Sequence, residues 1–237
     1  MKITLVKTHQ ENYNVRTFWF KPETRLDYTA GQFIELYLPH DNPDDRGIKR
    51  WFTLSSSPTN DLISVTTKFA GDKTSSFKKA LFALKPGAEL KLVEPMGDFV
   101  LPKATSIPLV FVAGGIGLTP FHSIIKYLAD AGEKRQIQVL LAFNEPKDIL
   151  FEDLFKKYGA EVKVIISNPT ADWQGETGQL SAQRILELTG GKSDTRRYYI
   201  SGPEPMVEAL ETDMHEHGVD KNQLVLDFFP GYTPDLK

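Results

Sequence analysis

The residues of this chain whose types and spacing could do chemistry are mostly small or hydroxylated. Leu109 to Ala113 is an unbroken apolar run, followed by Gly114, Gly115 and Gly117. Such a run without alternation marks a strand buried on both faces of a parallel sheet. Glycines remove side chains where the backbone turns sharply or is closely approached. Thr119 then reads as a helix N-cap and Pro120 as the first helical residue, ahead of an apolar face of Phe121, Ile124, Ile125 and Leu128. Strand, glycine turn and helix start together suit a phosphate-bearing ligand, because free amides and the positive end of the helix dipole converge there. The spaced-glycine dinucleotide pattern is matched only in part, by Gly115 and Gly117, with Pro120 at the third place. Alone, the stretch also reads as a tight turn between a core strand and a helix.

Two further stretches carry similar chemistry. Ser201, Gly202 and Pro203 repeat the small-residue turn ahead of a second helix. Arg50, Trp51, Phe52 and Thr53 alternate along a β-prone segment, which puts Arg50 and Phe52 on one face and Trp51 and Thr53 on the other. Such a strand can hold a flat, hydrogen-bonding ring while its arginine pairs with phosphate. The plain alternative is a barrel strand with one snorkelling arginine.

Composition limits what else the chain could do. It has no cysteine, so disulfides, thiol catalysis, cysteine-ligated zinc and an all-cysteine iron–sulfur cluster are absent from it. Any redox chemistry is left to an organic cofactor, with no metal expected. The five histidines are scattered, and His215 and His217, two apart on an expected helix, point to different faces and read as surface residues. A formal charge of -3 and a pI near 6.0, with no block of lysine and arginine, argue against nucleic acid as a partner. No apolar run is long enough to span a bilayer and the opening residues lack a signal core, so a cytoplasmic protein is expected.

The elements that must position these residues fall into two halves. Residues 3–6, 15–20, 33–38, 50–55, 63–69 and 89–93 are short β-prone segments separated by turn residues, which predicts an antiparallel barrel interrupted by one helix near 75–83. Beyond Gly97, Asp98 and Phe99 the pattern changes. Strands near 109–113, 137–143, 161–167, 197–201 and 223–228 alternate with helices near 120–131, 149–157, 181–188 and 204–217, which predicts a doubly wound α/β parallel sheet. Its ligands belong outside the carboxyl ends of the strands, where Gly114, Asn144, Ser167 and Ser201 fall. The expected organisation is an N-terminal antiparallel Greek-key β-barrel over 1–102 and an α/β domain over 103–237. Phe228, Phe229 and Tyr232 are expected just past the last strand.

In this order the landmarks resemble those of the ferredoxin–NADP reductase superfamily. Arg50 to Thr53 is similar to its R-x-Y-[ST] flavin motif, with Phe52 for the tyrosine. Gly31, Gln32 and Phe33 resemble its P-G-Q-F strand, and Gly71 with Thr74, Ser75 and Ser76 its diphosphate-binding turn and helix start. Gly97 to Phe99 resembles its domain-closing G-x-F, Gly114 to Pro120 its G-G-x-G-x-T-P nicotinamide segment, and Ser201 to Pro203 with Met206 its C-G-P-x-x-M segment, with Ser201 for the cysteine.

The resemblance implies an FAD-dependent oxidoreductase that takes hydride from NAD(P)H to flavin N5 and passes electrons on. It implies that Arg50 bonds the FAD diphosphate with Ser75 and Ser76, that Phe52 packs on the flavin, and that Thr53 approaches N5. Trp51, Thr67, Lys68, Gly71 and Thr74 complete the expected flavin set. Gly114, Gly115, Gly117, Thr119, Pro120, Asn144, Ser167, Gly202, Pro203 and Met206 form the nicotinamide set, with Thr53, Thr119 and Ser201 nearest the reacting atoms. One of Phe228, Phe229 and Tyr232 would cover the flavin. The acceptor is expected to be a separate protein or a small molecule. An NADPH-dependent ferredoxin or flavodoxin reductase is the alternative within the class, and a non-catalytic flavin- or nucleotide-binding subunit the alternative outside it. NADH is favoured over NADPH because Asn168 stands where NADP-dependent relatives carry an arginine, and because Glu145 would repel a 2′-phosphate; Lys147, Arg196 and Arg197 are the basic residues near in sequence.

Overall fold

The computed structural model describes residues 1–229, so Tyr232 lies outside the described residues. The first half forms β1 (Lys2–Gln10), β2 (Val15–Pro22), β3 (Phe33–Tyr37), β4 (Lys49–Thr53), β5 (Ile63–Lys68) and, after helix α1 (Ser76–Ala83), β6 (Glu89–Leu92). These strands lie in the order β4-β3-β6-β1-β2-β5, and all paired neighbours are antiparallel. The two ends of the sheet meet. Leu54, just past β4, bridges Val65 in β5, and the Ser55 amide donates to the Ser64 carbonyl at 2.8 Å. The expected barrel is therefore closed, and insertion of β6 between β1 and β3 gives it a Greek-key order. Phe18, Phe20, Ile34, Leu36, Leu54 and Val65 fill its interior, and α1 adds Phe77 and Leu81.

A polar ladder runs along the opposite face of the same strands. The Ser55 hydroxyl bonds those of Ser64 and Thr66 at 2.9 Å each, Thr66 meets Thr17 at 2.8 Å, and Thr17 donates to Glu11 at 2.5 Å. These serines and threonines are buried, and their mutual bonds offset the desolvation.

The chain divides into two compact units, the first comprising Met1–Leu101 together with Thr119–Asp130, and the second Pro102–Leu118 with the chain from Ala131 onward. Helix α2 (Thr119–Ala131) thus lends nearly all its length to the unit that holds the barrel. Within that unit, Phe121 packs on Phe99 with ring centroids 5.5 Å apart. Gly31, at φ +102°, is where this packing is tightest: a β-carbon there would lie 1.9 Å from the Phe99 carbonyl oxygen and 3.4 Å from Ile124.

The second unit carries β7 (Leu109–Gly114), β8 (Ile137–Phe143), α3 (Glu152–Tyr158), β9 (Glu161–Ile166), β10 (Glu176–Thr177), α4 (Ala182–Leu188), β11 (Arg197–Pro203), α5 (Glu204–Glu216) and β12 (Leu224–Phe229). Its sheet, in the order β10-β9-β8-β7-β11-β12, is parallel throughout, as the strand and helix alternation predicts. From β7 the strands step outward through β8 to β10, and the chain then returns to lay β11 on the other side of β7. The switch in strand order therefore falls between β7 and β11, where a doubly wound sheet opens its ligand crevice.

Several expectations are corrected. Gly114 is the last residue of β7, and a 3-10 turn over Gly115–Leu118 precedes α2, so Thr119 is the first helical residue and not a cap. Phe228 and Phe229 belong to β12 and do not follow it. The helix expected from 149 begins at Glu152, because Phe151 adopts a left-handed conformation, φ 55°, through which no right-handed helix can run. The two-residue β10 carries no periodicity and was not expected.

Candidate functional site

In the first unit the R-x-Y-[ST]-like segment is β4. Arg50 and Phe52 face Phe77 of α1, with the guanidinium carbon 5.5 Å from that ring and the Phe52 ring 5.8 Å from it. Trp51 points the other way and is 60% exposed, beside the Phe33 ring at 6.0 Å, while Thr53, on the Trp51 face, is buried. The expected alternation therefore holds. Phe52 is a member of the barrel core.

Arg50 is held from several sides. Nη1 donates to the carbonyls of Arg46, Gly47 and Lys49, at 2.8, 3.0 and 2.6 Å, and Nη2 to Asp44 at 2.5 Å. Nε is buried without an acceptor. Just ahead of α1, Gly71 takes φ +57° and opens a 3-10 turn, Gly71–Lys73, locked by Thr74, whose hydroxyl accepts the Ala70 amide at 2.7 Å. Ser75 caps α1 by accepting the Lys78 amide, and the Ser76 amide donates to Asp44 at 3.0 Å. The Ser76 hydroxyl accepts the Asp44 amide at 2.8 Å and lies 2.9 Å from His40 Nε2. Because His40 Nδ1 must donate to the Leu38 carbonyl at 2.8 Å, Nε2 is the acceptor from Ser76 in the neutral ring.

Arg50 and Ser76 thus converge on the Asp44 carboxylate, with Ser75 capping the helix that Ser76 opens and Gly71 and Thr74 in the turn just before it. Lys68 adjoins it through its carbonyl, which receives Lys78 Nζ at 3.4 Å, and Thr67 lies buried beside it in β5. The sequence reading missed Asp44 and Lys78. Burial, with Arg46 and Arg50 nearby, pushes the Lys78 ammonium down to about 8.

Also in the first unit, α2 presents His122 and Ser123 to the turn that follows β4. His122 Nδ1 donates to the Ser55 carbonyl at 2.6 Å, and the Ser123 hydroxyl to the Ser56 carbonyl at 2.6 Å. Burial pushes the His122 imidazole down to about 4, against the opposing pull of that carbonyl bond. Thr119 and Pro120, at the start of this helix, are buried.

In the second unit the two small-residue turns interlock. Ala113 is in register with Ser201 across the β7/β11 pair. What closely approaches the glycines here is the chain itself. A β-carbon on Gly114 would lie 2.5 Å from Met206 Sδ, one on Gly117 2.3 Å from the Ser201 carbonyl oxygen, and one on Gly202 2.6 Å from Met206 Cε. Gly115 is different, with open space around it and φ +53°. Gly114, Gly115, Gly117, Ser201, Gly202, Pro203 and Met206 are therefore brought together at the switch point. The Ser201 hydroxyl, fully buried, donates to Asp227 of β12 at 3.4 Å, and burial raises that carboxyl to about 6. Asp227 escaped the sequence reading, since only the β11/β12 register puts it opposite Ser201.

At the neighbouring strand ends, Asn168 Nδ2 donates to Asn144 Oδ1 at 2.7 Å and the Ser167 hydroxyl to the Gly178 carbonyl at 3.3 Å. Lys147 is paired with Glu145 at 2.6 Å. Arg197 opens β11 opposite Leu109, the first residue of β7, so Arg196 and Arg197 sit at the far end of the strands from Gly114, roughly 17 Å of strand away. They are near the rim in sequence only.

Oxidoreductase NAD-binding domains as a family match residues 111–212. The structure superposes on the flavohem-like FAD/NAD binding domain of nitric oxide dioxygenase from Vibrio cholerae O1 biovar El Tor with a TM-score of 0.81, at 23% identity over 96% of this chain and 98% of that one. A ferredoxin NADP+ reductase from Neisseria gonorrhoeae, with bound FAD and NADP, gives 0.79 at 17% identity over 96% and 98%. The chain shares the fold of these two proteins. Among curated relatives, the glycine betaine monooxygenase reductase subunit of Chromohalobacter salexigens is 29% identical over 98% of this chain and 64% of its own length. The chain spans between 60% and 66% of the length of the first such relatives. Among the described residues, no helix is long and apolar enough to cross a membrane.

Proposed function

We propose that this chain is an FAD-dependent reductase that oxidises NAD(P)H, preferring NADH, and passes the electrons to a separate acceptor, as the reductase-subunit names of its relatives suggest. The observation that carries the reading is the arrangement around Arg50. A guanidinium and the first amide of α1 converge on a single carboxylate, which stands in for a phosphate group. FAD fits that donor set, and the NAD-binding match supports a dinucleotide at the β7/β11 turns.

When bound, the flavin supplies the hydride-accepting atom and the means of releasing electrons one at a time, so the protein's part is to hold, orient and exclude water. Arg50 and Ser76 would grip the diphosphate, with Ser75 fixing the helix start. Thr53, on the outward face of β4, would meet the flavin ring edge, with Trp51 exposed beside it as a surface for the ring. Gly114, Gly117 and Gly202 let the two turns of the second unit and the Met206 side chain pack closely. Thr119 and Ser201 are the hydroxyl groups proposed to orient the nicotinamide.

The preference for NADH rests on the loop ends after β8 and β9. Asn144 and Asn168 satisfy each other, and Glu145 occupies Lys147. Arg196 and Arg197 stand at the far end of β11, which leaves Lys147, held by Glu145, beside the loop end after β8. The test is anaerobic: FAD-loaded protein should bleach on addition of NADH, with a higher catalytic efficiency than with NADPH at equal ionic strength. A chain that stays colourless after incubation with FAD refutes the flavin reading, and a clear NADPH preference refutes the coenzyme reading alone.

A further inference from the structure

The anion cradle of the first unit is already filled, and by the chain's own carboxylate. Asp44 lies in the loop between β3 and β4. Its Oδ1 accepts from Arg50 and its Oδ2 from the Ser76 amide, while its own amide donates to the Ser76 hydroxyl. Two carboxylate oxygens thus satisfy the two donor types that recognise phosphate, a guanidinium and an amide at a helix start. Arg46 and Arg50 lie close enough to Lys78 to act on its charge. Lys78 is half-buried in the first turn of α1, forms no ion pair among the described residues, and is pushed down to about 8 by burial and by Arg46 and Arg50. Arg50 Nε, buried as well, has no acceptor. The loop is also held in a costly conformation: Asn42 at φ 50° and Gly47 at φ 67° flank Asp44 with left-handed residues, and only the glycine adopts that state freely.

We propose that Asp44 is a displaceable substitute for the flavin's diphosphate: it holds Arg50 and the start of α1 in the ligand-free protein, and the diphosphate expels it on binding. This rests on the flavin reading above. A diphosphate diester brings two negative charges where the aspartate brings one, which suits a cluster that also contains Arg46 and Lys78. Displacement makes Asp44 an affinity-setting residue, because every binding event must first break its two charge-assisted bonds. It also frees the loop that carries Asn42 and Gly47.

The experiment is an FAD titration of flavin-free protein, comparing the native chain with Asp44→Asn. The variant should bind FAD about tenfold more tightly or better, since its competitor has lost its charge. It should also melt at a lower temperature when flavin-free. Equal or weaker affinity overturns the proposal and makes Asp44 a fixed brace. If neither protein binds FAD, the flavin reading itself falls and this inference with it, an outcome distinct from FAD binding that ignores Asp44. A second measurement does not depend on the variant folding well. Because the chain has no cysteine, Asp45→Cys offers a single site for a spin label. Its mobility should rise when FAD saturates the protein, and unchanged mobility at saturation overturns the displacement.

Discussion

A methyl group at Gly117 would sit 2.3 Å from the Ser201 carbonyl oxygen, and neither partner is a flexible side chain that could move aside. Gly117→Ala should therefore force the β7 and β11 turns apart, at a cost of about 1–3 kcal/mol in urea unfolding, and raise the KM for NADH. Gly115→Ala is the control. Its β-carbon meets nothing, and its φ of +53° should cost only about 1 kcal/mol, so a Gly115 variant as damaging as the Gly117 one would contradict this account. The two glycines look alike in sequence, where each is simply a residue of a Gly-rich turn. The turn was legible there. That Gly117 is required by a backbone one strand away, and Gly115 by its own dihedral, was not, because only the pairing of β7 with β11 creates the first requirement. Asp44 was illegible for the same reason, being one acidic residue in a polar loop until the fold carries it to Ser76.

Among the elements, α2 and β12 carry opposite acid responses. His122 is held neutral, its folded-state value near 4 lying below the ordinary 6.5, so the stability it lends is fully present above pH 6.5 and is lost as pH falls through 4. The shift corresponds to roughly 3 kcal/mol at most. His122→Gln should flatten the acid limb of the first unit's unfolding curve between those values, and an unchanged limb would show that the histidine does not sense acid. Asp227 runs the other way. Its folded-state value is raised to about 6, so its contribution is present below pH 3.8 and is lost as pH rises through 6. Strand positions, the closing of the barrel and the parallel sheet were readable because alternating and continuous apolar runs have characteristic periods. The apolar face of α2 said only that the helix is buried. It did not say that His122 and Ser123 would bond the turn after β4, since polar groups on a helix have no period that names their partner.

At the scale of the whole molecule, the barrel and the parallel sheet have separate hydrophobic cores. Under the proposed function, calorimetry should resolve two transitions, with FAD stabilising the first unit and NAD(P)H the second, by about 2.7 kcal/mol when either is at a hundred times its dissociation constant. A single transition moved equally by both ligands would contradict separate cores that each bind one cofactor. The division is uneven along the chain, however, since the first unit consists of Met1–Leu101 plus Thr119–Asp130. During synthesis, then, the barrel strands leave the ribosome before the helix that completes them. Until Ser123 has been made, the Ser55 and Ser56 carbonyls lack their partners in α2, and the first unit, which runs on to Asp130, can finish folding only after β7, a strand of the other unit, has been made.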